Sequence, residues 1–294
     1  MRRTFALVFI VFALVAATRA QSPAGQDVPA FSSSVQLVEV YATVTDAKGE
    51  LVTGLRQSDF EVRENGAPQE VTTFAAGEFP LTVALGVDRS FSMAGEPLRL
   101  AKLASQAFLR ELKTGDRSMV VAIGNEADVI APLSADRAAQ ARAISGLDAW
   151  STTALHDALL VTLDRLEAEP GRQAIVVFSD GADRYSEHKA AEVIERARRS
   201  TALIYPIALG KTRPGLLSEL AVLTGGRSFQ LRDARELEKT LATIARELRY
   251  QYLIGYTPAK PIAKGDREWR SIKVMVKATR PGLRVRARDG YMTE

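Results

Sequence analysis

The stretch LTVALGVDRSFS, which spans residues 81–92, decides the fold of this chain. Its first seven residues form an almost continuous apolar run, and the runs at 119–123, 174–178 and 203–208 have the same character. Such runs are typical of strands that are covered on both faces of a sheet.

Stretches with apolar residues at helical spacing lie between and after these runs. Leu100, Leu103 and Phe108 mark one helix, and Leu155 and Leu159 mark another. Strands that alternate with helices in this way predict an α/β fold, with a Rossmann-like, doubly wound and mostly parallel sheet.

The two flanks of this region alternate apolar and polar residues with a period of two, which predicts antiparallel strands. Asn65-Gly66 is a strong hairpin turn sequence, because both residues of such a turn adopt positive φ. Neither flank alone has enough strands for a stable sheet. We therefore expect the flanks, residues 35–76 and 257–294, to form one small antiparallel β unit into which the α/β domain, residues 77–256, is inserted.

Residues 1–20 have the layout of a signal peptide, with Arg2 and Arg3 before an apolar run at 5–17 and small residues around Ala20. The run is shorter than the roughly 20 residues that span a bilayer. We expect cleavage after Ala20, no stable membrane span afterwards, and an exported protein that is periplasmic or extracellular. Residues 21–34, rich in Ser, Pro and Gly, are predicted to form a linker.

Composition excludes several classes of protein. The chain has 294 residues and no cysteine, which rules out a disulfide framework, an iron–sulfur cluster and a thiolate zinc site. The formal charge of +4 falls to about +1 when the three arginines of the signal peptide are removed. The high isoelectric point therefore gives little support for nucleic acid, and we predict no nucleic-acid partner.

Polar side chains follow two of the apolar runs. Asp88, Ser90 and Ser92 come directly after the run that begins at Leu81, and Asp180 follows the run at 174–178. Ligands of open α/β sheets bind beyond the carboxyl ends of the strands. Both acids are therefore expected to reach one crevice.

Thr152 and Thr153 precede the helix that contains Leu155, so one is expected to cap it while the other directs its hydroxyl outward. Three hydroxyls and two carboxylates form a hard-oxygen set, which suits Mg²⁺ or Mn²⁺, and Ca²⁺ less well. A lone Asp-x-Ser-x-Ser is common by chance, and Ser or Asp after a strand often makes a turn or a cap. The ordered occurrence of all three segments favours a metal site.

The three segments together resemble the von Willebrand factor type A domain and its metal-ion-dependent adhesion site. They are Asp88 to Ser92, Thr153 to Leu159, and Phe178-Ser179-Asp180-Gly181. The flanks resemble those of an exported bacterial group of von Willebrand A-related proteins, for example at Tyr252 to Pro258. This subgroup likeness implies no defined activity.

The resemblance implies the role of each site residue. Ser90 and Ser92 would bind the metal directly, Thr153 directly or through water, and Asp88 and Asp180 partly through bridging waters. The chain departs from the family at residues 150–152, where a Gly-rich approach to the threonine is common, which leaves the choice between the two threonines open.

Binding is favoured over catalysis, because neutral hydroxyl ligands leave much of a cation's charge available to a partner's carboxylate. We predict a metal-dependent, adhesion-type protein-binding module that is not an enzyme. The alternatives are a Mg²⁺-dependent phosphoester hydrolase, for which no general base or phosphate-binding lysine is evident, and an envelope scaffold with a vestigial site. His156 and His188 are interpreted as surface or packing residues. The residues predicted to contact the partner at the rim are Met93, Glu96, Trp150, Arg184 and Tyr185.

Overall fold

The computed structural model of the chain describes residues 37–180, 183–211, 214–263, 265–277 and 282–293. The predicted signal peptide at 1–20 and linker at 21–34 lie outside the described residues. The strands are β1 (Val38–Thr45), β2 (Phe60–Glu64), β3 (Ala67–Gln69), β4 (Val71–Ala76), β5 (Leu81–Asp88), β6 (Arg117–Ile123), β7 (Ala127–Ser134), β8 (Arg172–Ser179), β9 (Leu203–Leu209), β10 (Phe229–Leu231), β11 (Tyr252–Tyr256), β12 (Trp269–Val276), β13 (Arg284–Arg286) and β14 (Gly290–Met292). The helices are α1 (Glu96–Glu111), α2 (Arg137–Ser145), α3 (Leu155–Glu167), α4 (Ala190–Arg199), α5 (Gly215–Thr224) and α6 (Leu237–Arg249).

A six-stranded sheet in the order β10-β9-β8-β5-β6-β7 forms the centre of the α/β region. All of its strand pairs are parallel except β6 with β7. Apolar residues of α1 and α6 pack on one face of the sheet, and those of α3, α4 and α5 pack on the other. The predicted doubly wound, mostly parallel α/β fold is confirmed.

The sequence predicted the buried face of α1 in part, since Phe108 is buried as expected and Leu103 is not. Leu98, Ala101 and Phe108 are buried, whereas Leu103 is 47% exposed. These buried positions recur at three and seven residues and face α6 and the sheet. Leu103 lies outside that stripe, so it is exposed although its side chain is apolar.

The flanks of the chain form two four-stranded antiparallel sheets, β13-β1-β11-β4 and β14-β12-β2-β3. β1 and β4 from the N-terminal flank pair with β11, and β2 pairs with β12. Apolar side chains of both sheets share one core, as in a β-sandwich. β11 lies in this unit, although the sequence analysis assigned Tyr252–Tyr256 to the end of the central domain. The turn at Asn65-Gly66, with φ of 47° and 81°, joins β2 to β3 as predicted.

A buried carboxylate connects strands from both ends of the chain. Glu64 of β2 accepts hydrogen bonds from the hydroxyls of Tyr256 and Tyr291, each at 2.9 Å, and pairs with Arg270 at 3.3 Å. Burial and the nearby Glu64 raise the pKa of both tyrosines, so they stay protonated and donate.

None of the helices within the described residues combines the length and apolar character that crossing a bilayer requires.

We expect Glu64→Ala to lower the free energy of unfolding by about 3 kcal/mol, because two buried hydroxyls lose their acceptor and Arg270 loses a carboxylate. Urea denaturation measures this loss. Glu61→Ala is the matched control, since Glu61 lies on the same strand in a more exposed pair with Arg63. Equal losses for the two variants would contradict the assigned role of the buried network.

Candidate functional site

The candidate site lies where β5 and β8 end. The two strands are parallel neighbours, with Val87 opposite Phe178 in their register. Asp88 is the last residue of β5, and Asp180 follows β8 directly. Both acids therefore emerge at the carboxyl-terminal edge of the sheet, where ligands bind in open α/β folds.

The segment that precedes α3 is joined to the loop after β5 by two backbone hydrogen bonds. Trp150 N donates to Arg89 O at 2.7 Å, and Phe91 N donates to Ser151 O at 3.0 Å. The Arg89 guanidinium lies over the Trp150 ring, 5.6 Å from its centroid, and pairs with Asp128 of β7 at 3.3 Å. These contacts fix the two loops against each other.

The loop after β8 is joined to the same segment from its other side. Arg184 N and Tyr185 N both donate to Thr153 O, at 2.9 and 3.1 Å. The three segments that carry the predicted site residues are therefore held together by their own backbones. The segment around Thr153 lies between the other two.

Asp88 is the most deeply buried acid of the site, with no exposed surface. One of its carboxylate oxygens accepts a hydrogen bond from Ser90 N at 2.9 Å, and the other accepts one from the hydroxyl of Ser179. Burial raises the pKa of Asp88 above its ordinary value, against the opposing effect of these hydrogen bonds, and the negative charge of Asp180 raises it further. Two like charges thus lie close together at this edge of the sheet.

The hydroxyls of Ser90 and Ser92 lie side by side, with their oxygens 3.0 Å apart. Ser90 is buried and Ser92 is exposed, so the pair reaches from Asp88 to the surface. Adjacent oxygen ligands of an octahedral Mg²⁺ ion, at about 2.1 Å from the metal, lie about 3.0 Å from each other. The two hydroxyls hydrogen-bond to each other at this separation, which is also compatible with shared coordination of one small divalent cation.

A divalent cation also suits the charge of the site, since Asp88 and Asp180 repel each other. Within the described part of the chain, no group of three or more His, Cys, Asp or Glu side chains is arranged to hold a metal. A site here would therefore depend on hydroxyl oxygens beside its two acids. The residues present fit a hard cation and do not resemble a zinc site of His and Cys ligands.

The prediction that Thr152 or Thr153 caps α3 is wrong. The backbone amides of residues 156–157 donate to the side chains of Asp183, at 2.9 Å, and Ser186, at 3.2 Å. The cap thus comes from the loop after β8, which is distant in sequence. Thr153 is buried and Thr152 is half-buried.

Ser151 adopts φ of 77°, a left-handed conformation that glycine accepts more easily than serine does. This is the part of the chain where the sequence departs from the family's Gly-rich approach. The backbone carbonyl of Ser151 accepts from Phe91, and its hydroxyl accepts from Asn125 N at 3.1 Å. The hydrogen bonds offset the strain and retain the position of the loop.

The structure changes the predicted rim. The prediction that Met93 lies at the rim is wrong, because Met93 is 1% exposed and packs in the core with residues of α1. The 3₁₀ turn Phe91–Met93 turns Met93 inward and leaves Phe91 66% exposed, so Phe91 is the rim residue that the sequence analysis missed. The other predicted rim residues are exposed; they are Glu96, Trp150, Arg184 and Tyr185.

The two histidines form a junction between α3 and the loop after β8. His188 Nδ1 lies 2.8 Å from the carboxylate of Asp157, and this hydrogen bond raises the pKa of His188. His156 Nδ1 lies 3.0 Å from the backbone carbonyl oxygen of His188. Both imidazoles therefore have structural partners, in agreement with their interpretation as surface or packing residues.

Residues 83–182 match the family model of the von Willebrand factor type A domain. No curated protein matches the chain. Among solved structures, a von Willebrand factor type A protein from Catenulispora acidiphila is 20% identical, with a TM-score of 0.54, and the alignment covers 90% of this chain and 65% of that one.

Two further structures share the fold at lower coverage. Proximal thread matrix protein 1 from the mussel byssus, with a zinc-occupied MIDAS motif, is 16% identical with a TM-score of 0.55, over 64% of this chain and 50% of its own. The vWF domain of the pilus tip protein Mfa5 from Porphyromonas gingivalis is 13% identical with a TM-score of 0.50, over 58% of this chain and 95% of its own. Likeness at these identities establishes the fold alone.

We expect Asp88→Asn to stabilise the protein in chelator at pH 7, by about 1–3 kcal/mol, because it removes a buried charge. The amide oxygen can still accept from Ser90 N, and the amide nitrogen can donate to the hydroxyl of Ser179, which then becomes the acceptor. The folded-state pKa of Asp88 is raised above the unfolded value of about 3.9, so the gain should be absent below about pH 4, grow as pH rises from there to the folded-state pKa, and stay constant at higher pH. Urea denaturation across this pH range measures it.

Asp148→Asn is the control for this experiment, since Asp148 is an exposed acid that lies shortly before Trp150 in the chain. It should change stability little at any pH. A loss of stability in Asp88→Asn at pH 7 in chelator would show that the buried charge is compensated within the protein.

Proposed function

Because the chain contains a von Willebrand factor type A domain, we propose that it is an exported protein-binding module that uses a divalent cation to capture an acidic group of a partner. Domains of this family are generally interaction modules. We assign the cation to Asp88, Ser90, Ser92, Thr153 and Asp180. The export part rests on the signal-peptide layout of residues 1–20.

The observation that carries the proposal is the pair of hydroxyls beside a buried carboxylate. Ser90 and Ser92 offer two oxygens at the spacing of adjacent metal ligands, next to Asp88. Buried carboxylates are normally paired with a cation or a metal. A bound divalent cation would supply a positive centre that neutral hydroxyls leave largely uncompensated, and a partner carboxylate is its natural ligand.

The protein's own residues then have separate tasks. Asp88 holds the loop after β5 in place through Ser90 N and connects it to β8 through Ser179. Thr153 fixes the loop after β8 through its backbone carbonyl. The three loops are thus positioned by contacts within the protein, which lowers the entropic cost of binding.

Magnesium is the cation that the donor set favours, because all five side chains offer hard oxygen atoms. Mn²⁺ has similar preferences, and Ca²⁺ normally takes more ligands than this site offers. The mussel protein holds zinc in its motif, so Zn²⁺ belongs in the same test series.

Calorimetric titration of the chelator-treated protein should give one Mg²⁺ site. The double variant Asp88→Ala with Ser90→Ala should lose at least about tenfold in affinity, because it removes a carboxylate and a hydroxyl from the site. Titration with Mn²⁺, Ca²⁺ and Zn²⁺ ranks the cations.

Asp164→Ala is the matched control for the titration, since Asp164 is an exposed acid on α3. Its Mg²⁺ isotherm should equal that of the unaltered protein. Absence of Mg²⁺ binding, or the same isotherm for the double variant, would refute the assignment of the site.

A further inference from the structure

Three large aromatic side chains are exposed on the loops that surround the candidate metal site. Phe91 is 66% exposed, Trp150 is 57% exposed and Tyr185 is 60% exposed. We refer to these three residues as the aromatic collar. Each belongs to a different one of the three segments that meet at the site, so the collar is a property of the assembled loops.

Backbone hydrogen bonds hold the collar in register with the predicted metal ligands. Phe91 lies between Ser90 and Ser92, and its amide donates to the segment before α3. The amide of Tyr185 donates to the carbonyl of Thr153 at 3.1 Å. Phe91 is therefore a sequence neighbour of two predicted ligands, and Tyr185 is hydrogen-bonded to the backbone of a third.

Both the side chain and the backbone of Trp150 contact Arg89. The guanidinium of Arg89 lies 5.6 Å from the centroid of its ring, and Arg89 is in turn paired with Asp128. A cation–π contact of this kind orients an exposed indole. The ring is therefore preorganised at the surface.

Other large apolar side chains exposed in the described residues belong to different parts of the fold, among them Leu103 on α1 and Tyr250 after α6. Single exposed apolar residues are ordinary in soluble proteins. Three exposed aromatic residues on adjoining loops are different, because exposed apolar patches mark interaction sites, and Trp and Tyr are enriched among the residues that carry binding energy.

The geometry points to a partner whose acidic side chain is flanked by apolar residues within one protein segment. This inference rests on the proposed function, since the carboxylate is taken to reach the cation while the flanking side chains contact the aromatic collar. The charge of Arg184, which is exposed next to Tyr185, agrees with an acidic partner. A segment rich in charged or small residues would reach the cation and leave the collar uncovered.

Three fluorescently labelled peptides test this inference by anisotropy in Mg²⁺ and in chelator. The first carries one glutamate between aromatic and aliphatic residues, the second replaces that glutamate by glutamine, and the third has the glutamate between serine and glycine. In Mg²⁺, the first peptide should bind at least about tenfold more tightly than either of the others. Chelator should remove the difference.

The double variant Phe91→Ala with Tyr185→Ala should lose about tenfold or more in affinity for the first peptide and keep its Mg²⁺ isotherm and its unfolding transition. It retains Trp150, whose emission should shift to shorter wavelength when the first peptide covers it. Trp150→Phe identifies that part of the emission. Tyr250→Ala is the matched control, as an exposed aromatic residue away from the loops, and it should bind the first peptide normally.

Equal binding of the two glutamate peptides, or full binding by the double variant, would overturn the inference while the metal site stands. Absence of Mg²⁺-dependent binding for all peptides by a protein that does bind Mg²⁺ in calorimetry would overturn it as well. A protein that binds no Mg²⁺ would overturn both the proposed function and this inference.

Discussion

The carboxylate of Asp88 is buried at the end of a central strand, and the position of the loop after β5 depends on how that burial is satisfied. Ser90 N and the hydroxyl of Ser179 donate to its two oxygens, which connects the loop after β5 to the end of β8. Burial and the nearby Asp180 raise the pKa of Asp88. The ionised form of Asp88 is therefore less favourable in the folded chain than in the unfolded chain.

The flanking β unit explains how the α/β domain is held without fixing its loops. Ala76 of β4 pairs with Tyr252 of β11, so the chain enters and leaves the α/β domain at hydrogen-bonded neighbours. At the start of β8, the buried Arg172 donates to the carbonyls of Phe79 and Leu248. These contacts lie at the amino ends of the parallel strands, opposite the edge where Asp88 emerges.

The sequence predicts the parts of the molecule that local pattern determines. The apolar run before Asp88 specifies a strand covered on both faces, and Asn65-Gly66 specifies a turn with positive φ. β7 and α2 escape prediction, because an edge strand and a short helix bury too few residues to produce a clear period. The cap of α3 escapes it too, because Asp183 is brought there by the fold.

The same distinction applies at the site. Asp88, Ser90 and Ser92 are close in sequence, so the sequence places them at the end of one strand. The 3.0 Å separation of the two hydroxyls is compatible with coordination of the same metal ion. Phe91 and Met93 point in opposite directions because both belong to one 3₁₀ turn. Both residues are apolar, so the sequence does not indicate which of them is buried. The structure was therefore needed to show that Phe91 is exposed and Met93 is buried.

The most direct test of a cation at this edge of the sheet is anomalous diffraction from crystals of the protein grown with Mn²⁺. We expect one strong anomalous peak about 2–2.3 Å from the hydroxyl oxygens of both Ser90 and Ser92, near the carboxylate of Asp88. A fully ordered site without a peak, or a peak bound only by other residues, would contradict it.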